Sequence, residues 1–417
     1  MSRAVSEREA AAAIARSGGL VALPGAAGEA RAFIDVWRAE PDLAAGLTFR
    51  GLFVPGLNAT DYAALHDSAR LQTIFATAET RASFHAGKVD LFPLAYTRAY
   101  AWLHDAPKDA AILNVTPGPG DAFSASLNAD AAPALLHQAK LRIALVNTQA
   151  PRIDDPARTP HFPREAFDLV VETDAPLLTA PPETPSLQTD AVAAAAAALI
   201  ADGDALQFGI GKLPAAILSR LRNHKNLRIH SGMYVDGVLD LLHGGALDPD
   251  APMLGGTAIG TAALHARIAA EPRARLAPVP HTHGLAALSA VRRLTAINGA
   301  LQVDLFGQVN SEWIGRRRVS GLGGLPDFLR GAAAAPGGRA IIALPAEQKG
   351  QSRIVARLDA PCVTAPASDA QIVVTEHGAA DLRGLTVDAR AAALIAIAAP
   401  AHRADLEAAW AAMRREF

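Results

Sequence analysis

Residues 207–245 carry the spacing best suited to chemistry. They begin Gln207-Phe208-Gly209-Ile210-Gly211-Lys212-Leu213-Pro214 and, past a polar turn, continue Leu227-Arg228-Ile229-His230-Ser231-Gly232-Met233-Tyr234-Val235-Asp236-Gly237. The pattern predicts strand, glycine turn, helix, second strand and second helix, with the right-handed crossover that such units take. Glycines at 209 and 211 let backbone N–H groups approach an anion, and Pro214 is expected at the first helical position. An ordinary tight strand–helix turn uses the same glycines, and the third glycine of a dinucleotide fingerprint is missing. The second strand ends at Ser231-Gly232-Met233. A reactive side chain is expected there, and only a glycine stands in its place.

Other stretches offer partners for that edge. Ser320-Gly321-Leu322-Gly323-Gly324-Leu325-Pro326-Asp327-Phe328 is a second glycine loop, able to supply N–H donors to a thioester oxygen or to remain a surface turn. Residues 296–310 suggest a hairpin turning near Phe306-Gly307; Asn298 within it either meets a substrate carbonyl or is a satisfied structural amide. Glu376 follows an apolar run, at the strand end where open α/β sheets bind ligands. Lys349, in a polar loop after 340–344, suits a phosphate or carboxylate, or plain solvent. His281-Thr282-His283 has no cysteine nearby and no third ligand at metal-binding spacing, so no metal site is expected.

The elements that must position these residues are α/β. Apolar runs at 20–25, 110–115, 141–146 and 168–172 alternate with helical patterns, and further strands are expected at 296–303, 340–344 and 371–375. Unbroken apolar strands between helices indicate two similar open, mainly parallel sheets. Proline becomes frequent from Pro176 to Ser186, which divides the chain into an α/β domain over 1–175, a linker over 176–188 and a second α/β domain over 189–417. The second domain opens on an alanine-rich helix with Asp190 as the expected N-cap, and the chain closes on two helices broken by Pro400.

Bulk properties narrow the function classes. Of 417 residues half are hydrophobic and 19% charged, so the chain can bury large cores. A net charge of −2 leaves no footprint for nucleic acid. Cys362 is the only cysteine, which excludes an intrachain disulfide. The apolar runs at 191–201 and 391–399 fall short of the roughly 20 residues a membrane span needs. With no apolar signal core near the N-terminus, a cytoplasmic protein is expected.

Taken together, these stretches resemble the acetyl-CoA hydrolase/CoA-transferase family, class I acyl-CoA transferases of the acetate/4-hydroxybutyrate type that act on small carboxylic acids. The resemblance rests on residues 85–93, 114–120 and 146–152 in the first half, and on 209–214, 230–242, 297–310, 320–328 and 375–384 in the second. It implies two α/β domains with the active site between them, in a homodimer. It also implies coenzyme A or acyl-CoA as substrate, bound through Gly209, Ile210, Gly211, Lys212 and Leu213, through Gly321, Gly323 and Gly324, and by Lys349. Asn298 and Glu376 match positions around the acyl group. Family chemistry is ping-pong: a glutamate carboxylate attacks the thioester, and the released thiolate converts the anhydride to an enzyme–CoA thioester.

That glutamate lies in a His-Ser/Thr-Glu-Met/Val-x-x-Asp-Gly pattern, which this chain matches from His230 to Gly237 except at Gly232. Lys212 also departs from the small or uncharged residue usual at its place. Four possibilities stand: a transferase using Glu376 or Asp236 instead, a hydrolase in which Glu376 activates water, a non-catalytic acyl-CoA binder or partner of an active paralogue, and a change introduced at 232. If the pocket is otherwise intact, Gly232→Glu alone is expected to restore covalent chemistry.

Overall fold

Strands without polar alternation need cover on both faces, and two parallel sheets provide the setting for them. The computed structural model describes residues 2–184 and 186–416. Two units result: one takes the chain up to Pro181 together with Pro252–Thr282, the other takes Pro182–Ala251 and the residues from His283 on.

The first unit holds a ten-stranded sheet. Eight of its strands run parallel in the order Arg3–Ala4, Leu169–Thr173, Ala139–Asn147, Lys108–Pro117, Leu20–Ala22, Thr48–Arg50, Arg70–Thr73 and Val89–Leu91. The antiparallel pair Ala122–Ser124 and His161–Pro163 branches from the end of Lys108–Pro117. Trp37, on the helix Arg31–Ala39, packs edge-on to Phe49 at 4.9 Å, and Tyr62 lies 5.3 Å beyond Phe49. Chain order reverses between Leu20–Ala22 and Lys108–Pro117. The turn after Leu20–Ala22 is braced there by Asn58, whose carboxamide takes both the N–H and the carbonyl of Ala26.

The sequence division at 176–188 leaves residues 252–282 in the second half, whereas they pack with the first unit. Hydrogen bonds explain this. Asn128 accepts from Thr257 at 2.8 Å, and the N–H of Val279 reaches the carbonyl of Asp130. The Arg158 guanidinium donates to the carbonyls of Ile268, Ala269 and Ala274, the first two in the last turn of the helix Ala262–Ala270.

The second unit holds a six-stranded sheet in the order Arg228–Ile229, Ala205–Phe208, Leu294–Gly299, Arg339–Ala343, Ile372–Thr375 and Gly378–Asp381. All neighbours are parallel except the last pair. The stretch expected as one strand over 296–303 breaks at Ala300: Gln302–Asp304 leaves this sheet and pairs with Val309–Asn310 across the Phe306-Gly307 turn. Asp204, fully buried at the start of Ala205–Phe208, accepts from the guanidinium groups of Arg293 and Arg339, which fixes the amino-terminal edge.

Ser186, not Asp190, caps the alanine-rich helix Leu187–Ala197, accepting from the Thr189 N–H at 3.2 Å. Asp190 sits one turn in and pairs with Arg220 instead. The closing helices are Val387–Ala396 and Arg403–Met413, with Pro400 starting the short turn between them. Among the described residues no helix is long and apolar enough to cross a membrane.

Arg158→Ala removes three of the hydrogen bonds that hold 252–282 within the first unit. It should lower unfolding stability by about 2 kcal/mol, the worth of a charge-assisted hydrogen bond, read from the urea midpoint.

Candidate functional site

The five parallel strands of the second sheet end at one edge, so the loops that follow them share it. Strand order is that of a doubly wound sheet in which the first two strands lie reversed, and the crevice falls between Ala205–Phe208 and Leu294–Gly299. Asn298 lies in that crevice, 8% exposed, and donates to the Gln207 carboxamide oxygen at 3.0 Å.

Gly209, Ile210 and Gly211 leave the end of Ala205–Phe208 and turn directly into the helix Lys212–Arg220. Gly211 has φ of 106°, a left-handed conformation that a side chain would strain, and it caps the helix. Pro214 is therefore the third helical residue and not the first, still within the turn whose N–H groups lack helical acceptors. Lys212 and Ile210 are exposed, and Leu213 is half-buried.

Gly321, Gly323 and Gly324 precede the helix Leu325–Ala334, with Gly323 at φ 56°. Glu376 stands at the end of Ile372–Thr375. One of its oxygens accepts from the Ala346 N–H at 2.7 Å and the other from Gln188 at 3.1 Å, so the carboxylate ties one loop and the start of the helix Leu187–Ala197 to the strand end. Lys349 sits at the tip of the hairpin joining Glu347–Gln348 to Gln351–Ser352, and that hairpin receives a hydrogen bond from Gln188 at the Glu347 carbonyl. Both turn residues, Lys349 and Gly350, have positive φ, as two-residue hairpin loops favour. Arg152 in the first unit is exposed and paired with Asp154.

Position 232 is the informative one. Ser231 beside it is fully buried, and its hydroxyl donates to the Phe208 carbonyl at 3.0 Å, a cross-strand tie. Gly232 has no left-handed φ to explain a glycine. A Cβ placed on it would lie 2.7 Å from Cε1 and 2.8 Å from Nε2 of His283. A Cβ on Gly324 would meet the same imidazole at 2.8 Å. The ring also leans on Phe328, with centroids 4.4 Å apart. His283 thus brings residue 232 and the second glycine loop together. Burial first, and the neighbouring His230 second, hold its imidazole down to about 3, so it is neutral in ordinary buffers.

The sequence marked His283 only as half of a His-x-His pair. Nothing in its spacing pointed to Gly232; the strand expected to run to 231–233 ends at Ile229, and Gly232 lies in the bend before the short strand Met233–Tyr234. Among the described residues no cluster of three or more His, Cys, Asp or Glu is arranged to hold a metal ion.

Residues 260–410 match the acetyl-CoA hydrolase/transferase C-terminal domain. The chain is 35% identical over 349 residues to the 4-hydroxybutyrate coenzyme A transferase of Clostridium kluyveri, with 81% of each chain covered. It is 32% identical over 421 residues to the succinyl-CoA:cyclohexane-1-carboxylate CoA transferase of Geobacter metallireducens, covering 97% of this chain and 94% of the other. Among solved structures it is similar to RipA from Yersinia pestis, at 26% identity and a TM-score of 0.89 over 99% of this chain and 98% of that one. The 4-hydroxybutyrate CoA-transferase from Porphyromonas gingivalis gives 26% and 0.80 over 100% and 98%.

The buried imidazole has a consequence for stability. The unfolded chain takes up a proton on His283 near pH 6.5, the folded chain only near 3. Between those values the unfolded state holds more protons, so stability is full above about 6.5 and falls as the pH drops toward 3. In His283→Asn the urea midpoint should fall less steeply across that window than in the wild type.

Proposed function

The chain belongs to the acetyl-CoA hydrolase/CoA-transferase family, and we propose that it binds CoA thioesters of small carboxylic acids without forming a glutamyl intermediate at position 232. The observation that carries this is the imidazole-filled space at Gly232. A glycine has no oxygen with which to open a thioester, and the Ser231 hydroxyl next to it is bound to Phe208.

The carboxyl edge of the second sheet supports a nucleotide-thioester site. In this proposal the Gly209–Leu213 loop and the first turn of Lys212–Arg220 take the pyrophosphate, where unpaired amides and the helix dipole favour negative charge. Lys212, exposed at the first helical position, adds a cation to that end. The Gly321, Gly323 and Gly324 loop faces the thioester, Asn298 the acyl group, and Lys349 an outer phosphate. The acyl acid is small, and the chain works as a homodimer.

Between hydrolysis and binding alone, Glu376 is the residue to weigh. Each of its oxygens accepts one hydrogen bond, from Ala346 and Gln188, which orients the carboxylate and leaves each oxygen a second lone pair. The non-catalytic reading, a binder acting beside an active paralogue, therefore rests on Gly232.

Incubation with acetyl-CoA or succinyl-CoA tests this. Calorimetry should show saturable CoA binding, intact mass should stay unchanged, and no thiol should be released in the absence of an acceptor acid. A CoA adduct would overturn the proposal, and thiol release alone would replace the binder with a hydrolase. Lys349→Ala should weaken CoA binding by no more than about fivefold, the worth of an exposed ion pair.

A further inference from the structure

His283 touches two glycines for which the backbone gives no reason. Gly232 is absent from the left-handed positions, and Gly324 has φ of −87°, which any residue adopts. What both lack is room. The imidazole stands within 2.8 Å of the Cβ position of each, and Phe328 closes the remaining side at 3.4 Å from the one and 2.9 Å from the other. His283 is 3% exposed, so the ring is enclosed. Real Cβ contacts essentially never come that close, and the ring has Phe328 and the second glycine loop behind it. A side chain at 232 and the imidazole at 283 therefore cannot both stay where they are: the ring would have to shift against Phe328 and that loop.

We propose that His283 is the residue that decides which chemistry this site can run: its imidazole stands in the volume of a nucleophilic side chain at position 232, and Gly232 and Gly324 are the clearances that admit it. The proposal rests on the CoA-thioester reading of the site. It corrects the expectation that Gly232→Glu alone restores covalent chemistry, because an introduced carboxylate meets the imidazole before it meets a substrate. Removing the imidazole as well opens the path. The carboxylate oxygen then bonds to the thioester carbonyl carbon, the C–S bond breaks, and its electron pair leaves on the CoA thiolate. The thiolate sulfur next attacks the new glutamyl carbonyl and the acyl carboxylate departs. The chain is left heavier by CoA less one water.

Four proteins test this: wild type, Gly232→Glu, His283→Ala and the double variant Gly232→Glu/His283→Ala. Each is checked by circular dichroism and CoA calorimetry, incubated with succinyl-CoA, and weighed intact. The double variant should bind CoA and acquire the adduct. Gly232→Glu alone should stay unmodified, with a lowered thermal midpoint. An adduct on that single variant equal to that on the double variant would overturn the proposal, as would a folded, CoA-binding double variant that stays unmodified.

A second arm needs no ligand. Gly232→Ala should lower the thermal midpoint of the wild type by several degrees and leave that of His283→Ala unchanged. Equal shifts in both backgrounds would overturn the exclusion of one side chain by the other. Loss of midpoint in the wild-type background alone, with no CoA bound by any of the four, would keep the exclusion and sink the CoA reading.

Discussion

The packing of one neutral imidazole between two glycines governs what the carboxyl edge of the second sheet can hold. His283 stands where the end of the Arg228–Ile229 strand and the Gly321–Gly324 loop converge, and its burial keeps it uncharged. A protonated ring there would carry an unsolvated charge beside His230 and the Phe328 ring. Neutrality, tight contact and glycine are thus parts of one condition.

The two edges of that sheet divide labour. Where the strands begin, buried Asp204 gathers the guanidinium groups of Arg293 and Arg339, an arrangement rigid enough to set strand register. Where they end, the chain offers glycine turns, a helix start and the Gln207–Asn298 amide pair in the crevice. The first sheet repeats the plan with different fittings. At its own reversal point the Asn58 carboxamide braces the 24–28 turn, and Tyr62 hydrogen-bonds Glu29, whose carboxyl is pushed up by burial.

Much of this was legible in the chain. Long apolar strands such as Lys108–Pro117 and Ala139–Asn147 announced parallel sheets, because strands covered on both faces need no polar alternation. Thr48–Arg50 and Arg70–Thr73, too short to show a period and without an unbroken apolar run, were not expected as strands. The cap at Ser186 was missed because Asp190 is as good a capping type, and only the hydrogen bond to Thr189 distinguishes them. Segment 252–282 changed units through side chain to carbonyl bonds from Asn128 and Arg158, which leave no local pattern. The absence of a side chain at 232 was visible at once. What lies against it, a ring 51 positions later in the chain (283 − 232), is a contact that no spacing rule encodes.

That contact also bears on which substitutions the two positions tolerate. With the ring in place, a side chain added at 232 overpacks the space beside it. Loss of the ring alone leaves a void beside Phe328. Either change alone costs packing, so positions 232 and 283 behave as one unit: the side chain that fits at either is set by the other.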